Sequence, residues 1–346
     1  MKKILFIFLI GYFFIACNDK NNNNTDEKYN PTPYEFEVKI PKRDFFPKIP
    51  QDNPLTVEGV ELGKKLFADK ILSVDNKLSC TSCHDPNRAF ANNERFNKGH
   101  NGILMKHNAM SLMNLIFEDH FGWTGAFNSL EDAIKATVEL DVEFHEKWDN
   151  VVNKLQDAGY GDMFYKAFGT KDITADLTAK AIAQYIRSNI SINSKFDKIY
   201  YQKRKDLSFT PLESEGYLLF IDERGDCFHC HRIGYFFDNN FHNNGLDADP
   251  EPGRAEITGR TSDVGKYKTV TLRNIAITAP YMHDGRFKTL KEVLDFYSDH
   301  VQSSSPNLDP NMNHEGGITL NEHEKEAMIA FLKTLTDERY EHLLNK

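Results

Sequence analysis

The stretches CTSCH at residues 80–84 and CFHCH at residues 227–231 decide how this chain is built. Each has the form Cys-x-x-Cys-His, in which two thiols bond to a porphyrin and the histidine ligates the iron at its centre. Two such motifs in one chain are not accidental, so the sequence predicts two covalently attached c-type haems. The residues that this prediction assigns to the haems are Cys80, Cys83, His84, Cys227, Cys230 and His231.

A zinc site is the alternative for the same cysteines, with four thiolates drawn from both pairs around one Zn²⁺. Zinc would leave the histidine after each pair unexplained. The chain has five cysteines, and the fifth, Cys17, lies close to the N-terminus. No pair remains for a disulfide bond, so the two haems would themselves act as covalent cross-links.

The N-terminus carries the signals of an exported protein. A basic pair at residues 2–3 precedes an apolar run over residues 4–15 that is too short to span a membrane. A small residue directly before Cys17 favours a lipoprotein signal peptide over residues 1–17, which predicts a periplasmic protein anchored to a membrane through the acylated cysteine. An ordinary signal peptide is the alternative. The polar, asparagine-rich sequence that follows predicts a flexible tether over residues 18–45.

The charge of the chain excludes one class of function. The formal net charge is -9 at pH 7. A face that binds nucleic acid needs clustered lysines and arginines to neutralise phosphates, so nucleic acid is excluded as a partner. A basic protein partner is compatible with this charge.

Both haem motifs follow a similar segment. GKKLF at residues 63–67 precedes the first motif, and GYLLF at residues 216–220 precedes the second. Each segment has an amphipathic helical pattern with a start signal, Thr56 in the first case and Thr210 followed by Pro211 in the second. This internal repeat predicts two copies of one helical unit.

The predicted fold class is therefore all-α, with two cytochrome c-like haem domains and long loops. The N-terminal domain is predicted over residues 46–200 and the C-terminal domain over residues 205–346. An apolar stripe over residues 177–190 predicts a helix at the end of the first domain. A capping box at residues 319–322 predicts the start of a last helix, which runs to about Leu335.

Further segments carry a resemblance to a known family. They are LSCTSCH (78–84), HNAMSLMN (107–114), FGWTG (121–125), SLED (129–132) and TAPYMHDG (278–285). From about Pro54 to Leu335, the sequence resembles the bacterial di-haem cytochrome c peroxidase and MauG family in the order and spacing of these segments. In that family the haem of the first motif (haem 1) is the peroxide site, and the haem of the second motif (haem 2) supplies electrons.

The resemblance implies roles for residues around haem 1. Glu143 would be the catalytic carboxylate, which moves a proton between the two oxygens of the peroxide; its alternative is a solvated glutamate at a helix end. Trp123 would relay electrons between the haems, and its alternative is a plain core aromatic. His100 would be a removable distal ligand of haem 1, with His107 as the weaker candidate.

Around haem 2 the sequence departs from the pattern of typical peroxidases. These have a methionine fourteen residues after the histidine of the His-Asp-Gly motif, whereas counting from His283 leads to Tyr297. MauG-like proteins have tyrosine there, and a phenolate favours ferric iron. Met282 competes for this ligand position and Met312 is a weaker rival. The alternative for Tyr297 is a packed helix aromatic.

The resemblance also implies a calcium ion between the domains, bound by Asn108 and by the carbonyl groups of Thr278 and Pro280, since all-oxygen ligands suit Ca²⁺. Arg273 would pair with a haem propionate. The family's Trp-Asp-Gly-Arg is here WTGA at residues 123–126. A glutamine that usually precedes the catalytic glutamate is replaced by Ala133. These two departures predict a less polar distal pocket at haem 1.

The resemblance implies an enzyme that reduces hydrogen peroxide to water with electrons from a small cytochrome c or cupredoxin. One alternative is a MauG-like oxidase that withdraws electrons from a residue of a partner protein, which Tyr297 favours. The other alternative is a non-catalytic electron carrier, which would need neither Glu143 nor Trp123. A homodimer is a further expectation.

Overall fold

The computed structural model describes residues 28–42, 45–312 and 318–344. The predicted signal peptide, Cys17 and the beginning of the predicted tether lie outside these residues. Within them the fold is mostly helical, as predicted, and the strands form one short antiparallel pair. None of the helices in these three stretches has the length and apolar character needed to cross a membrane.

The helices are short and are separated by long loops. The first half contains α1 (Val57–Ala68), α2 (Leu130–Glu139), α3 (Trp148–Asp157), α4 (Gly161–Phe168), α5 (Ala175–Ser188) and α6 (Lys195–Tyr200). The second half contains α7 (Pro211–Phe220), β1 (Phe241–His242), α8 (Ala255–Thr258), β2 (Tyr267–Lys268), α9 (Leu290–Asp299) and α10 (Glu322–Lys333). Each haem motif starts with a 3₁₀ turn, over Cys80–Ser82 and Cys227–His229.

The first hydrophobic core forms where α1 crosses α5. Thr56 is the N-cap of α1, as predicted. The two backbones approach closely at Gly63, where a Cβ atom would lie 1.9 Å from the carbonyl oxygen of Ala181. Phe67 packs edge-on against Tyr185 at this crossing, with ring centroids 5.3 Å apart. Any side chain at residue 63 would therefore push the two helices apart.

The second core repeats this crossing with α7 and α10. Thr210 is the N-cap of α7, as predicted. A Cβ atom on Gly216 would lie 1.9 Å from the carbonyl oxygen of Ala327. Phe220 packs against Phe331 with ring centroids 5.2 Å apart. The two segments that are similar in sequence thus have the same packing role, which confirms the internal repeat.

The repeat extends beyond the haem motifs. An antiparallel bridge closes the loop before α2, and a similar bridge closes the loop before α9. The bridged pairs are Phe121–Phe127 and Tyr281–Phe287. Ser129 is then the N-cap of α2, and Thr289 is the N-cap of α9. Counted from these caps, Thr137 in the first half occupies the position that Tyr297 occupies in the second half.

The two halves exchange packing contacts. Phe196, from the predicted N-terminal domain, is buried in the second core. Tyr340, from the predicted C-terminal domain, is buried in the first core. The boundaries at residues 200 and 205 remain predictions, and each half contributes an aromatic side chain to the core of the other.

The predicted tether over residues 18–45 is too long. Tyr29 packs against Gly169, and its hydroxyl group donates to the carbonyl oxygen of Ala167 at 3.2 Å. Phe45 is only 2% exposed. Aromatic side chains from Tyr29 onward provide the apolar surface that offsets the entropy cost of ordering this segment.

Helix α10 begins later than predicted. Its N-cap is Asn321, which shares a capping box with Glu324, whereas the predicted box lay at residues 319–322. Both boxes fit the local sequence, but Ile318 and Leu320 are only 6% and 4% exposed. Because both of these side chains are buried in the core, the backbone is not helical before Asn321.

Candidate active site

Two cavities, one in each half of the fold, contain the two haem motifs. The N-terminal cavity has a volume of about 430 Å³, and its walls include Cys80, Cys83, His84, Phe67, Leu72, Leu115, Phe144 and Ile182. The C-terminal cavity has a volume of about 250 Å³, and its walls include Cys227, Cys230, His231, Phe220, Leu294, Ile318, Met328 and Leu332. Apolar walls with a thiol pair and a histidine fit a c-type haem.

The histidine of each motif is oriented as a metal ligand. Nδ1 of His84 lies 3.1 Å from the carbonyl oxygen of Phe90, and Nδ1 of His231 lies 2.9 Å from that of Phe236. The nitrogen that faces a carbonyl oxygen must carry the proton, so Nε2 keeps the lone pair that can bind iron. Burial lowers the pKa of both imidazoles, which keeps them neutral.

The alternative of one zinc ion held by both cysteine pairs is wrong, because the pairs line different cavities. Over the described residues, the cluster of three or more close His, Cys, Asp or Glu groups consists of Glu223, Asp226 and His229 and contains no cysteine. Each cysteine pair therefore belongs with its own histidine and its own cavity.

Glu143 lies on the wall of the N-terminal cavity, together with the first haem motif. It follows α2 in a turn in which its backbone N–H donates to the carbonyl oxygen of Leu140 at 2.9 Å. Burial raises the pKa of the Glu143 carboxyl group above its ordinary value. The half-buried position on this wall disfavours the alternative of a solvated glutamate, and it provides a proton-binding group at the cavity.

Thr137 is a site residue that the sequence analysis missed. It lines the N-terminal cavity, and an interaction of its hydroxyl group with the Glu143 carboxyl group opposes the effect of burial on the pKa of Glu143. Thr137 occupies the position of Tyr297 in the internal repeat. Tyr297 is a candidate iron ligand in the second half. At the equivalent position in the first half, the chain has Thr137, whose hydroxyl group interacts with Glu143.

His107 lines the N-terminal cavity, and His100 lies next to the cavity without lining it. The backbone N–H of His100 donates to the carbonyl oxygen of Glu143 at 2.9 Å, and its ring stacks on that of His145 at 4.8 Å. Among the described residues that line the cavity are Gly99 and His107, but not His100. In this loop conformation His100 is therefore next to the site without facing it, and its role as a ligand remains a prediction.

Trp123 lines both cavities. Its indole Nε1–H donates to the carbonyl oxygen of Asn108 at 2.7 Å, and its own carbonyl oxygen accepts from the backbone N–H of Lys268 at 2.8 Å. Both partners also line both cavities. The indole is therefore fixed at the wall between the two haem sites, where the relay prediction requires it.

A cluster of aromatic and imidazole rings lies next to Trp123. No sequence pattern predicted this cluster. His283 and Tyr267 are stacked with ring centroids 3.7 Å apart. His283 lies 6.4 Å from Trp123 and 5.9 Å from His107, again between ring centroids. Burial lowers the pKa of His283 to about 4, so this imidazole is neutral. The rings form a continuous aromatic connection between the cavities.

A buried ion pair lies beside this cluster. The ammonium group of Lys268 contacts the carboxylate of Glu118, and the two side chains are 2% and 3% exposed. Burial raises the pKa of Glu118, and the nearby Lys268 opposes that shift. The carbonyl oxygen of His120 accepts a further bond from Lys268 at 3.2 Å. A strong pair of charges therefore remains between the cavities even though the family's Trp-Asp-Gly-Arg motif is altered.

Residues of the second half pack against the altered motif. Arg254 donates to the carbonyl oxygen of Thr124 at 3.2 Å and lies 3.6 Å above the ring of Phe241. A Cβ atom on Gly125 would clash with both Phe241 and Arg254. Ala133 lines the N-terminal cavity, as the prediction of a less polar distal pocket requires.

All three candidates for the sixth ligand of haem 2 line the C-terminal cavity: Tyr297, Met282 and Met312. Burial raises the pKa of Tyr297 to about 12, and a hydrogen bond from Asn244 opposes this shift. Nδ2 of Asn244 lies 3.0 Å from the Tyr297 hydroxyl oxygen and 3.7 Å from the Met282 sulfur. The structure brings the candidates together, and the choice between them remains a prediction.

Arg273 does not have the partner that the resemblance implied. Its guanidinium group is fully buried and pairs with the carboxylate of Asp197 through two bonds of 2.8 Å. The carbonyl oxygens of Gly234 and Ser191 accept its other N–H groups. All five donors of Arg273 are used, so none is left for a haem propionate. Arg273 instead joins the chain segments that contain Ser191, Asp197 and Gly234.

The residues predicted to bind calcium lie close to the wall between the cavities. Asn108 lines both cavities, whereas Thr278 and Pro280 line the C-terminal one. The side-chain amide of Asn108 donates to the carbonyl oxygens of Glu94 and Arg95 at 3.0 and 3.2 Å. Because these bonds use the amide nitrogen of Asn108, its amide oxygen is the side-chain atom that could bind a cation. Calcium binding remains a prediction.

A helical fold with two cavities, each built around a Cys-x-x-Cys-His motif and joined by a tryptophan, defines a di-haem protein. The profile of a family described as di-haem cytochrome c peroxidase matches residues 57–206. The chain is 31% identical to the methylamine utilization protein MauG of Methylorubrum extorquens over 293 residues, which cover 84% of this chain and 81% of that protein. It is 30% identical to the cytochrome c551 peroxidase of Nitrosomonas europaea, over 83% of this chain and 82% of that protein.

Two solved structures are also similar to this chain. A MauG-like protein associated with microbial copper homeostasis superposes with a TM-score of 0.79 at 31% identity, over 88% of this chain and 99% of that one. The di-haem peroxidase BthA of Burkholderia thailandensis has the same fold, with a TM-score of 0.73 at 21% identity over 90% of this chain and 96% of that one. The chain belongs to the di-haem cytochrome c peroxidase and MauG family of oxidoreductases.

Proposed function

We propose that this chain reduces hydrogen peroxide to water with two electrons from a small redox protein. The observation that carries the proposal is the position of Glu143 in the same cavity as the first haem motif. A carrier that only transfers electrons has no use for a proton-binding carboxyl group at this place, so the non-catalytic alternative is disfavoured.

The proposal includes covalent attachment of a haem in each cavity. Cys80 and Cys83 would hold haem 1 through thioether bonds, with Nε2 of His84 as the iron ligand. Cys227, Cys230 and His231 would hold haem 2 in the same way. When bound, haem 1 supplies an iron at which peroxide can accept electrons. Thr137, at the position equivalent to Tyr297, has a short side chain, which would leave room in the cavity for peroxide.

Glu143 performs the proton transfer in this proposal. Its carboxylate would accept a proton from one peroxide oxygen and return it to the other, which leaves as the first water when the O–O bond breaks. Two electrons from the redox partner and two further protons convert the remaining oxygen to the second water. A base for this task works best with a pKa close to the working pH. Burial moves the pKa of Glu143 upward in that direction, and the interaction with the hydroxyl group of Thr137 opposes this shift.

Trp123 connects the cavities and would pass electrons from haem 2 to haem 1. The hydrogen bond from its indole to Asn108 fixes the ring. The electron donor would be a small cytochrome c or a cupredoxin, as the family resemblance implies.

The second candidate function is a MauG-like oxidase that withdraws electrons from a residue of a partner protein. The observation that favours it is Tyr297 on the wall of the C-terminal cavity. A tyrosinate ligand would stabilise ferric haem 2, so the oxidised protein would react with peroxide without prior reduction. The fully oxidised holoprotein mixed with peroxide distinguishes the two candidates, because a peroxidase that requires a half-reduced state will not turn over under these conditions.

Further expectations belong to the same proposal. The chain would be exported to the periplasm and anchored through an acylated Cys17. A calcium ion bound by Asn108, Thr278 and Pro280 would stabilise the contact between the halves, and the protein would form a homodimer. Each of these expectations rests on the sequence and on the family resemblance.

The variant Glu143→Gln tests the proposal. It keeps the shape of the side chain and removes the base, so peroxide turnover should fall by roughly 10²-fold or more while haem content is unchanged. Glu139→Gln is the matched control, because Glu139 is an exposed glutamate at the end of α2. Undiminished turnover in fully loaded Glu143→Gln would remove Glu143 from the mechanism and with it the observation that carries the proposal.

A further inference from the structure

Asn244 stands between the two side chains that compete most directly to ligate haem 2. The same amide nitrogen lies 3.0 Å from the hydroxyl oxygen of Tyr297 and 3.7 Å from the sulfur of Met282. An amide NH₂ group has two hydrogens, so it can serve both acceptors at once. An anionic oxygen is a much stronger hydrogen-bond acceptor than a thioether sulfur.

The segment that carries Asn244 is fixed by hydrogen bonds at both of its neighbours, Asn243 and Gly245. The amide group of Asn243 donates to the Ser305 hydroxyl oxygen at 2.9 Å and to the Pro306 carbonyl oxygen at 2.6 Å. Its amide oxygen accepts from the backbone N–H of Gly245 at 2.9 Å, and its carbonyl oxygen accepts from that of Asp309 at 2.9 Å. The backbone at residues 243–245 therefore cannot shift without breaking several bonds.

The segment is also fixed on its N-terminal side. His242 pairs with Tyr267 in the β1–β2 ladder. The two nitrogens of its ring lie 2.9 Å from Asp238 and 2.5 Å from Asp309. His242 is thus clamped between two carboxylates. With both neighbours held, the amide group of Asn244 is presented to the C-terminal cavity at a defined position.

We infer that Asn244 is a positioning residue that makes Tyr297, and not Met282, the sixth ligand of haem 2. Its N–H groups hold the phenol oxygen towards the cavity and retain the Met282 sulfur beside it. A hydrogen bond to the ligating oxygen favours the charged phenolate over the neutral thioether. This inference rests on the second candidate function, in which haem 2 occupies the C-terminal cavity with Tyr297 as its distal ligand.

The variant Asn244→Leu removes both N–H donors and keeps a side chain of similar size. One hydrogen bond to a charged group changes an equilibrium by roughly tenfold or more, so the ratio of Tyr297 to Met282 ligation should fall by about that factor. The measurement is made on the ferric holoprotein by near-infrared absorption and electron paramagnetic resonance. The thioether-to-iron charge-transfer band should appear, and the tyrosinate signal should decrease. The potential of haem 2 should rise.

A second variant separates the hydrogen bond from packing. Asn244→Asp keeps the shape of the side chain and replaces the donor by an acceptor, so it should shift the ligand in the same direction. Asn128→Leu is the control, because it removes an exposed amide that bonds to His120 away from haem 2. The new near-infrared band must also vanish in the double variant Asn244→Leu with Met282→Leu.

The results distinguish a failure of this inference from a failure of the proposed ligand. A wild-type spectrum without a tyrosinate signal shows that Tyr297 is not the ligand and overturns both. A wild-type tyrosinate signal that is unchanged in Asn244→Leu and Asn244→Asp overturns the role of Asn244 alone.

Discussion

Thr137→Val removes the hydroxyl group that holds Glu143 and keeps the volume of the side chain. Thr137 lines the N-terminal cavity, and its hydrogen bond stabilises the charged form of the Glu143 carboxyl group. Burial has already raised the pKa of this group. Loss of the hydrogen bond leaves burial unopposed, so the pKa of Glu143 should rise further.

The magnitude follows from the energy of one hydrogen bond to a charged group, about 1.5–3 kcal/mol. Loss of a bond of this energy should favour the protonated form of Glu143 by about tenfold or more, so its pKa should rise. The reaction needs the ionised carboxylate. The acid limb of the pH profile should therefore move to higher pH, and the rate at high pH should stay unchanged.

The assay is the pH dependence of kcat/KM for peroxide, which reports the pKa values of the free enzyme. Thr137→Ser is the matched control, because serine keeps the hydroxyl group and should keep the wild-type limb. Haem content and visible spectra establish that the variants are fully loaded. An acid limb that stays in place in Thr137→Val, or that moves equally in Thr137→Ser, would refute the reasoning.

Two further predictions concern the haems. Cys80→Ala combined with Cys83→Ala should leave one haem per chain in a pyridine haemochrome assay, and two retained haems would contradict the assignment of this pair. Tyr297→Phe removes the oxygen donor and keeps the aromatic ring, so it should change the spectrum of haem 2 and raise its potential. A spectrum that Tyr297→Phe leaves unchanged but Met282→Leu alters would identify methionine as the ligand.

Much of the fold could be predicted because its signals are local. The caps Thr56 and Thr210 and the glycines of the two similar segments lie within a few residues of the structures they determine. The same is true of the haem motifs, where spacing alone places two thiols and an imidazole together. Glu143 has no such pattern around it and was found only through the family resemblance.

Other parts of the site could not be predicted, because they depend on residues far apart in the chain. The amide of Asn244 meets a tyrosine 53 residues away, and Arg273 pairs with an aspartate 76 residues away. Arg273 was predicted to pair with a haem propionate, whereas in the folded chain its guanidinium group pairs with Asp197. Charge alone does not indicate which of two acceptors a guanidinium group will meet.

The sequence by itself determined that two haem-binding helical units follow one another, because covalent attachment requires a fixed local spacing of cysteines and histidine. The tertiary structure decided how the two units differ. It places Thr137 and Tyr297 at equivalent positions and brings Asn244 within hydrogen-bonding distance of Tyr297. Each cavity is lined by side chains from many distant segments. Which side chains can act as ligands or bind protons there therefore depends on packing that no local pattern specifies.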